Sequence, residues 1–554
     1  MFSNKHRGRI ETGEMLLVGR SRTSPEKRRT KGRSLTIFKS LFLAVLMAIT
    51  LYGMLNQGLS SAERWLPASV AILGLFFIAL FVVNYFSDTP KIAWVLVGIL
   101  AALVAIKGLS LAWSISRTET VEELLRASMY LATFTIAVAS LSSRRLVGPF
   151  VDGMNLIAGV VAGYGILQKV APAGYSAGSS YDVKVNSTLG YPNTLAVVVA
   201  MGITLGLGRM TELRNPLTRG LYAALILVFG VILYLTFSYG GVLALCLGLV
   251  MLFVVGGSRL QMLANLLLVC APLVWILWKV QGLPTFFSSA DEDLRAADGL
   301  VFGMDLALSV LASFLLQVVY AVLVGRYKLP LTLRRSFGVA AVVAVLVGVG
   351  AIGFAALGDR GGQDETWQSS GQEIEGIDDI KGWVPSLLSD YRLVYWRVAW
   401  DEWRELPLTG TGAGTFTYTW LQNRPGFDNA EQVHNLYLEQ GTETGALAFL
   451  ALLGFVSTLV VYLLRSTLRA DGRRKILLSA LTAAAIVYLV SSAFERHWYI
   501  PPSTLFFFVL VGVAVKFASR AEWWGTEERS GVVNGTLSDH HTGKANSLPG
   551  GLRT

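Results

Sequence analysis

Long runs of apolar residues, separated by short polar segments, extend through most of the chain. A helix needs about 20 apolar residues to cross a bilayer, and runs of this kind predict helices at 35–56, 66–86, 91–113, 122–141, 147–169, 191–209, 219–236, 239–256, 259–280, 302–324, 336–357, 436–464, 475–494 and 502–518. The pattern therefore predicts an all-α integral membrane protein, a polytopic helical bundle of about 12–14 transmembrane helices.

The composition agrees with this class. Of the 554 residues, 53% are hydrophobic and 15% are charged, and the mean hydropathy is +0.53. These values exclude an ordinary soluble domain. We expect no cleavable signal peptide, because the first apolar run continues directly into further spans. Cys246 and Cys270 both fall within apolar runs, which argues against a disulfide framework or a thiolate metal site.

The net charge of +10 is concentrated in the tails and in alternate loops. Membrane topology and lipid headgroups explain this charge better than nucleic acid binding does. If the basic tail is cytoplasmic, the short loops on that side carry most of the Arg and Lys residues, as the positive-inside rule requires. We therefore expect a multi-pass protein of the cytoplasmic (inner) membrane with both termini in the cytoplasm.

This topology divides the chain into five parts. They are a basic cytoplasmic tail (1–34), transmembrane helices 1–11 (35–357), an extracytoplasmic loop with short helices (358–435), transmembrane helices 12–14 (436–518) and a polar cytoplasmic tail (519–554). The last tail has the composition of a disordered segment. The long loop is expected to carry the catalytic residues.

The end of the long loop holds the candidate base. Of the five histidines, only His434 and His497 lie beside the membrane domain. A histidine at a membrane surface suits the removal of a proton from a substrate hydroxyl. Asn435 follows His434 directly, and Glu443 lies in the helix start beyond it. Glu443 is expected to orient a base, to bind an acceptor or to pack within the helix.

Two segments upstream of His434 carry groups that suit an anion. Residues 389–406 predict a helix with an aromatic face that lies along the bilayer surface, and Arg392 stands at its start. For Arg392, phosphate binding and headgroup anchoring are both open. Gly410, Gly412 and Gly414 follow, and glycines either let backbone N–H groups approach an anion or simply form a tight loop.

Two other outer loops bring polar groups to the same face. Lys184 precedes a helix start that contains Asn193. Arg496 and His497 lie in the short loop between the last two predicted helices. Arg and Lys suit a phosphate or diphosphate group, and His suits proton removal. Together these groups predict a lipid-diphosphate sugar donor that is attacked by an acceptor hydroxyl.

Three blocks of sequence have a recognisable order. The first joins Arg392–Ala399 to Leu406–Phe416, the second is His434–Leu438 with Glu443 and Gly445, and the third is Ser187–Ala196 at a helix start. In this order, with the long loop between them, the blocks resemble the O-antigen ligase/polymerase family of polytopic glycosyltransferases. The resemblance covers about a third of the chain, and the predicted topology agrees with the rest.

The resemblance implies a GT-C-like bundle that transfers a glycan from a polyprenyl-diphosphate carrier, such as undecaprenyl diphosphate, to a hydroxyl of a lipid, glycan or protein. The reaction would take place at the outer face of the membrane, in cell-surface polysaccharide biosynthesis. It would be inverting and would need neither a metal nor another cofactor. By similarity, His434 is the general base, and Arg392 binds the diphosphate together with Lys184 and Arg496. Supporting or acceptor-binding roles are expected for Asn193, Gly410, Gly412, Gly414, Asn435, Glu443 and His497.

The chain departs from the family pattern at several positions. Lys184 stands where relatives often have Arg, Ala448 replaces a usual Gly, and fourteen predicted spans exceed the common twelve. Tyr239 matters most, because it stands in Ser238-Tyr239-Gly240 where many members have Ser-Arg-Gly. The change removes one expected cation and leaves donor binding to Arg392, Lys184 or Arg496.

Three functions remain open at this point. A transporter would favour ionisable residues and broken helices near mid-membrane, whereas the polar groups here converge at one surface. An inactive assembly scaffold would not need His434 and Arg392. We favour the glycosyltransferase. The sequence does not separate a ligase from a polymerase, because no motif indicates which acceptor is bound.

Overall fold

The computed structural model of the protein describes residues 25–175, 183–287, 292–326, 340, 343, 390–426 and 429–519. Among these residues, the chain forms α-helices and short 3-10 turns and no β-strand. The helices of eight residues or more are α1 (Pro25–Leu55), α2 (Ala62–Phe81), α3 (Lys91–Leu109), α4 (Arg117–Ser140), α5 (Val147–Val170), α6 (Pro192–Glu212), α7 (Pro216–Leu235), α8 (Tyr239–Val255), α9 (Arg259–Val280), α10 (Glu292–Arg326), α11 (Asp390–Glu405), α12 (Phe416–Asn423), α13 (Leu436–Leu468), α14 (Gly472–Ser491) and α15 (Pro501–Ala518).

Within the described part of the chain, eleven helices are long and apolar enough to cross a membrane. Two further helices match predicted spans without meeting this criterion: α8 has 17 residues, and α4 has charged residues in its first turns. Apart from residues 340 and 343, the predicted helix at 336–357 lies outside the described residues. The prediction of an all-α polytopic membrane protein is confirmed.

Several helices are longer than their apolar runs. The helix predicted at 302–324 begins at Glu292, and the one predicted at 122–141 begins at Arg117. Hydropathy marks the apolar part of a helix and misses polar turns that continue it. The helix predicted at 436–464 continues to Leu468 and is broken at Gly445, whose φ of +73° is not helical.

Three helices form the centre of the bundle. The apolar parts of α6 and α15 are 94% and 100% buried, and that of α14 is 78% buried. Glycines on α6 make close packing possible: a β-carbon at Gly208 would overlap Ala480 on α14, and one at Gly202 would lie 2.7 Å from the Phe229 ring on α7. Small residues let neighbouring backbones approach in this way.

A buried ion cluster links α3, α4 and the segment before α15. Lys107 Nζ lies 3.0 Å from Glu123 Oε1, and Arg126 NH1 lies 2.5 Å from Glu123 Oε2. The Trp498 indole N–H donates to Glu123 at 2.6 Å. Lys107 and Glu123 are fully buried, and charges inside a membrane protein require such pairing. The cluster anchors the segment 492–500, which carries part of the candidate site.

Candidate active site

Several non-helical segments meet at one end of the bundle, which is called the His434 end below. Trp113, after α3, donates its indole N–H to the Thr409 carbonyl at 3.1 Å. Tyr191, before α6, donates its hydroxyl to the Glu495 carboxylate at 2.7 Å. The segments brought together at this end are 56–61, 110–116, 183–191, 406–415, 424–426, 429–435 and 492–500.

The His434 loop is held by carboxylate and amide side chains of α13. Asn435 caps the start of α13, because its side-chain oxygen accepts from the Tyr437 and Leu438 N–H groups at 3.1 Å each. Glu439 accepts from the Val433 N–H at 3.1 Å. His434 itself has a φ of +58°, a backbone conformation that is uncommon outside glycine and often marks functional positions.

A small apolar core fixes the His434 loop against α11 and α12. It contains Val394 and Ala399 of α11, Phe416 and Trp420 of α12, and Val433. The Tyr395 ring packs between this core and the base, with its centroid 4.8 Å from that of Trp420 and 5.9 Å from that of His434. The helix predicted at 389–406 spans Asp390–Glu405 and therefore supports the candidate base directly.

Glu495 connects the candidate base with the candidate diphosphate ligand. Its Oε1 forms an ion pair with Arg392, and its Oε2 accepts from the Tyr191 hydroxyl and lies 3.8 Å from His434 Nδ1. The Glu495 side chain is 1% exposed, that of Arg392 17% and that of His434 20%. A buried carboxylate thus lies behind two partly accessible groups.

The electrostatics favour an ionised Glu495 and a neutral His434. Burial by itself would raise the pKa of Glu495, but His434, Arg392 and His497 outweigh it and lower the pKa to about 2. Burial lowers the pKa of His434 below its ordinary value, although the Glu495 carboxylate acts in the opposite direction. At neutral pH the imidazole is therefore uncharged and has one nitrogen that can accept a proton.

Arg496 and His497 follow Glu495 and differ in their surroundings. Arg496 donates to the Gln432 side chain at 2.9 Å, and its guanidinium carbon lies 4.8 Å from the Tyr191 ring centroid. His497 is fully buried, with Thr194 at 3.2 Å from Nδ1 and Ser491 at 2.7 Å from Nε2. Both of its ring nitrogens are thus occupied by hydroxyls.

The environment of His497 keeps it uncharged. Burial lowers the pKa of His497 to about 4, against the opposing effect of Glu495. Its two hydroxyl partners lie on α6 and at the end of α14. His497 therefore joins two central helices and offers no ring nitrogen to a substrate in this conformation. It lies beside Glu495, whose contacts with Arg392, His434 and Tyr191 form what is called the Glu495 cluster below.

The glycine loop is docked on Glu443. Its carboxylate accepts from the Gly414 N–H at 2.8 Å and the Phe416 N–H at 3.2 Å, and its carbonyl accepts from the Gly412 N–H at 2.8 Å. The Gly410 N–H donates to the Leu406 carbonyl at 3.0 Å. These N–H groups are therefore used within the protein and form no anion cradle in this conformation.

Positive φ angles explain the glycines of this loop. Gly410, Gly412 and Gly414 have φ values of +60°, +112° and +77°. A β-carbon on Gly410 would overlap the Glu443 backbone, and one on Gly412 would overlap the Ser114 side chain. The glycines thus let the loop lie directly on α13 and on the segment after α3.

The remaining predicted residues lie at different distances from the Glu495 cluster. Asn193 donates to the Tyr191 hydroxyl at 3.1 Å and so contacts the cluster through Tyr191. Lys184 is exposed and makes no hydrogen bond or ion pair with any described residue. Tyr239 is 49% exposed at the first residue of α8. A β-carbon on its neighbour Gly240 would lie 4.0 Å from Glu495 Oε1, so the turn that lacks the expected cation adjoins the cluster.

The sequence analysis missed three of the residues that build this site. Glu495 lies in the same short loop as Arg496 and His497, but nothing in the sequence of that loop marks it as a functional residue. Tyr191 and Glu439 lie next to selected residues, yet a tyrosine before a helix and a glutamate inside one carry no chemical signal by themselves. Among the described residues, no group of three or more His, Cys, Asp or Glu side chains forms a metal site.

Comparison with known proteins gives a family match for part of the chain. No curated protein matches the chain. The family model for O-antigen ligase matches residues 296–453, a segment that contains Arg392, the glycine loop, His434 and Glu443 but not Glu495. This match agrees with the predicted resemblance and implies lipid-linked glycan substrates in a membrane. Residues 296–453 of the chain are thus similar to the O-antigen ligase family.

Proposed function

We propose that the protein transfers a glycan from a polyprenyl-diphosphate carrier to an acceptor hydroxyl at the outer face of the cytoplasmic membrane. The observation that carries the proposal is the buried Glu495 carboxylate, which contacts Arg392 and lies 3.8 Å from His434 Nδ1. An uncharged imidazole and a guanidinium thus lie at the two oxygens of one carboxylate. A base for a hydroxyl and a cation for a diphosphate are the two groups that this transfer needs.

In the proposed reaction, His434 acts through the nitrogen that faces away from Glu495. Nδ1 carries its proton towards the carboxylate, so Nε2 has the lone pair that takes the proton of the acceptor hydroxyl. The acceptor oxygen bonds to the anomeric carbon as the bond between that carbon and the diphosphate oxygen breaks. The polyprenyl diphosphate leaves with the electron pair, and the anomeric configuration inverts.

Glu495 stabilises the charged form of His434 that this step creates. The imidazolium would lie beside an ionised carboxylate in a buried setting, where the attraction is stronger than in water. Arg392 would compensate the charge on the leaving diphosphate. Lys184 and Arg496 are further proposed donor ligands, of which Arg496 already lies on Tyr191 beside the cluster.

The direct test is glycan transfer by purified protein in lipid nanodiscs, with EDTA present and a panel of acceptors. The donor is a polyprenyl-diphosphate glycan. His434→Ala should lower the transfer rate by about 10²–10⁴-fold, the usual contribution of a general base, while donor binding persists. Transfer by His434→Ala at the wild-type rate would contradict the proposal, and loss of wild-type transfer in EDTA would contradict its metal independence. The accepted acceptor distinguishes a ligase from the alternative, an O-antigen or exopolysaccharide polymerase.

A further inference from the structure

A cleft of about 850 Å³ opens at the His434 end, beside the site described above. Its volume lies within the range of ligand pockets, about 300–1,000 Å³. The walls come from the starts of α2 and α4, the end of α5 and the segments before α6 and α13. Tyr191 and Arg496 belong both to this cleft and to the Glu495 cluster. A ligand in the cleft would therefore lie next to the proposed reaction centre.

The side chains that line the cleft suit hydroxyl groups and sugar rings. Gln57, Asn186 and Gln432 offer amide donors and acceptors, and Trp65 and Tyr164 add aromatic rings. A sugar presents hydroxyls that both donate and accept, together with apolar C–H faces. Amide side chains can form hydrogen bonds with the hydroxyls, and aromatic rings can pack against the apolar C–H faces.

Buried polar atoms in the cleft lack partners. Within the described part of the chain, four such atoms have no hydrogen-bond partner: Tyr499 Oη, Thr188 Oγ1, Arg126 Nε and Arg496 Nε. Arg126 exposes only 9% of its surface. Buried polar groups are bonded in the great majority of cases, so the wall of the cleft has hydrogen-bonding capacity that the protein itself does not use.

The charge of the cleft selects against anionic ligands. The cleft is lined by three carboxylates that form no ion pair with the residues that the structure describes: Glu119, Glu122 and Glu431. Glu119 interacts electrostatically with the other two and with Arg126. Arg126 contacts Glu123 at 2.5 Å, so Arg496 is the remaining cation of the lining without a carboxylate partner. Like charges repel a phosphate or carboxylate group. Hydroxyl and amine groups, by contrast, find acceptors here.

We propose that this cleft binds the acceptor, and that the acceptor is a glycan chain without phosphate or carboxylate groups. The inference rests on the proposed function, which requires an acceptor hydroxyl beside His434. The donor diphosphate would lie at Arg392 and Arg496, so that Arg496 marks the border between the donor site and the cleft. The cleft is then free to bind the acceptor glycan next to Tyr191, which also contacts Glu495. Polymerisation of a glycan requires an acceptor chain in such a position.

A glycan array separates binding in the cleft from the chemical step. Full-length protein in detergent is applied to neutral, amine-bearing and phosphorylated oligosaccharides, in wild-type form and as the triple variant Glu119→Gln, Glu122→Gln and Glu431→Gln. We expect the wild type to bind neutral or amine-bearing chains at least tenfold more tightly than their phosphorylated counterparts. In the triple variant, the ratio of the two affinities should be at least threefold smaller than in the wild type. Glu63→Gln, a carboxylate at the start of α2 that does not line the cleft, is the matched control and should behave as wild type.

Several outcomes would overturn the inference. A preference for phosphorylated chains, or binding of no oligosaccharide on the array, would remove the cleft as a glycan site. In transfer kinetics, the triple variant should raise KM for the acceptor with an unchanged KM for the donor. A rise confined to the donor would mean that the cleft holds the donor glycan instead. His434→Ala should bind the array as wild type does. If transfer fails with every acceptor while array binding persists, the proposed function falls and the glycan site remains.

Discussion

The carboxylate of Glu495 lies 3.8 Å from Nδ1 of His434, and its other oxygen contacts Arg392. The distance to His434 is longer than a hydrogen bond, but it is short enough for a strong electrostatic effect between partly buried groups. Because Glu495 is ionised while burial keeps His434 neutral, protonation of the imidazole would create an ion pair. The carboxylate of Glu495 therefore favours the transfer of a proton from the acceptor hydroxyl to His434, the proposed base.

Replacing Glu495 with Gln should lower kcat about 10- to 100-fold, by analogy with the loss of a carboxylate that orients a metal-bound histidine. The carboxylate raises the pKa of His434, so its removal lowers that pKa. A base must be unprotonated to act, and the acidic limb of the pH profile should therefore move to lower pH. The profile of kcat/KM between about pH 4 and 8 measures this shift.

The control for this variant is Tyr191→Phe, which removes one hydrogen bond to Glu495 but keeps the carboxylate charge. We expect its acidic limb to stay near that of wild type. An acidic limb that does not move in Glu495→Gln, or that moves to higher pH, would contradict a role for Glu495 in tuning His434. A general loss of folding would lower the rate without a shift of the limb.

Much of the fold and part of the site could be predicted from the sequence, because both were encoded locally. Apolar runs marked the helices, and Arg392, His434 and the glycines stand in short motifs. Glu495 is different, since its partners Arg392 and Tyr191 lie 103 and 304 positions away in the chain. Only the packing of α6, α11 and α14 brings these residues together. A sequence contains no direct signal for such contacts.

The glycine loop shows the same limit in another form. Its composition predicted either an anion cradle or a tight loop, and the two need the same residues. The choice depends on what the N–H groups bind, and Glu443, 29 positions beyond Gly414, accepts from the Gly414 N–H. Conversely, Glu443 had three possible roles from sequence because its partner was unknown. In the structure it docks the loop on α13.

Arg392→Lys should raise KM for the donor about 10-fold or more. Lysine keeps the charge and can still pair with Glu495, but it loses the planar fork that binds a diphosphate with two parallel bonds. Charge-assisted hydrogen bonds contribute about 1.5–3 kcal/mol each. Donor titration in steady-state transfer measures the change. Arg397→Lys, on an exposed position of the same helix, is the control, and equal effects of both changes would favour headgroup anchoring.

Gly445→Ala should destabilise the protein. Gly445 has a φ of +73° and a ψ of −176°, a backbone region almost confined to glycine that costs an alanine about 1–3 kcal/mol. A β-carbon at this position would also overlap the Leu408 carbonyl. Since backbone atoms yield less than side chains, we expect a clear fall in the thermal unfolding temperature. Gly454→Ala lies on the same helix with open space around the new methyl group. It should be neutral or slightly stabilising, and equal behaviour of the two variants would refute this account of the kink.

Tyr239→Arg should strengthen donor binding. Tyr239 is half-exposed at the start of α8, and its neighbour Gly240 lies beside Glu495, so an arginine at this position would add the cation that the family pattern predicts next to the cluster. One charge-assisted hydrogen bond to a phosphate contributes about 1.5–3 kcal/mol, of which an exposed position retains a fraction. We therefore expect a fall of a few-fold in KM for the donor, with kcat little changed because His434 and Glu495 are untouched. Tyr239→Gln removes the aromatic ring without adding charge, and it should leave the donor KM close to wild type. If the Arg and Gln variants have the same donor KM, the turn before α8 does not contact the diphosphate, and donor binding depends on Arg392 and the cations of the other loops.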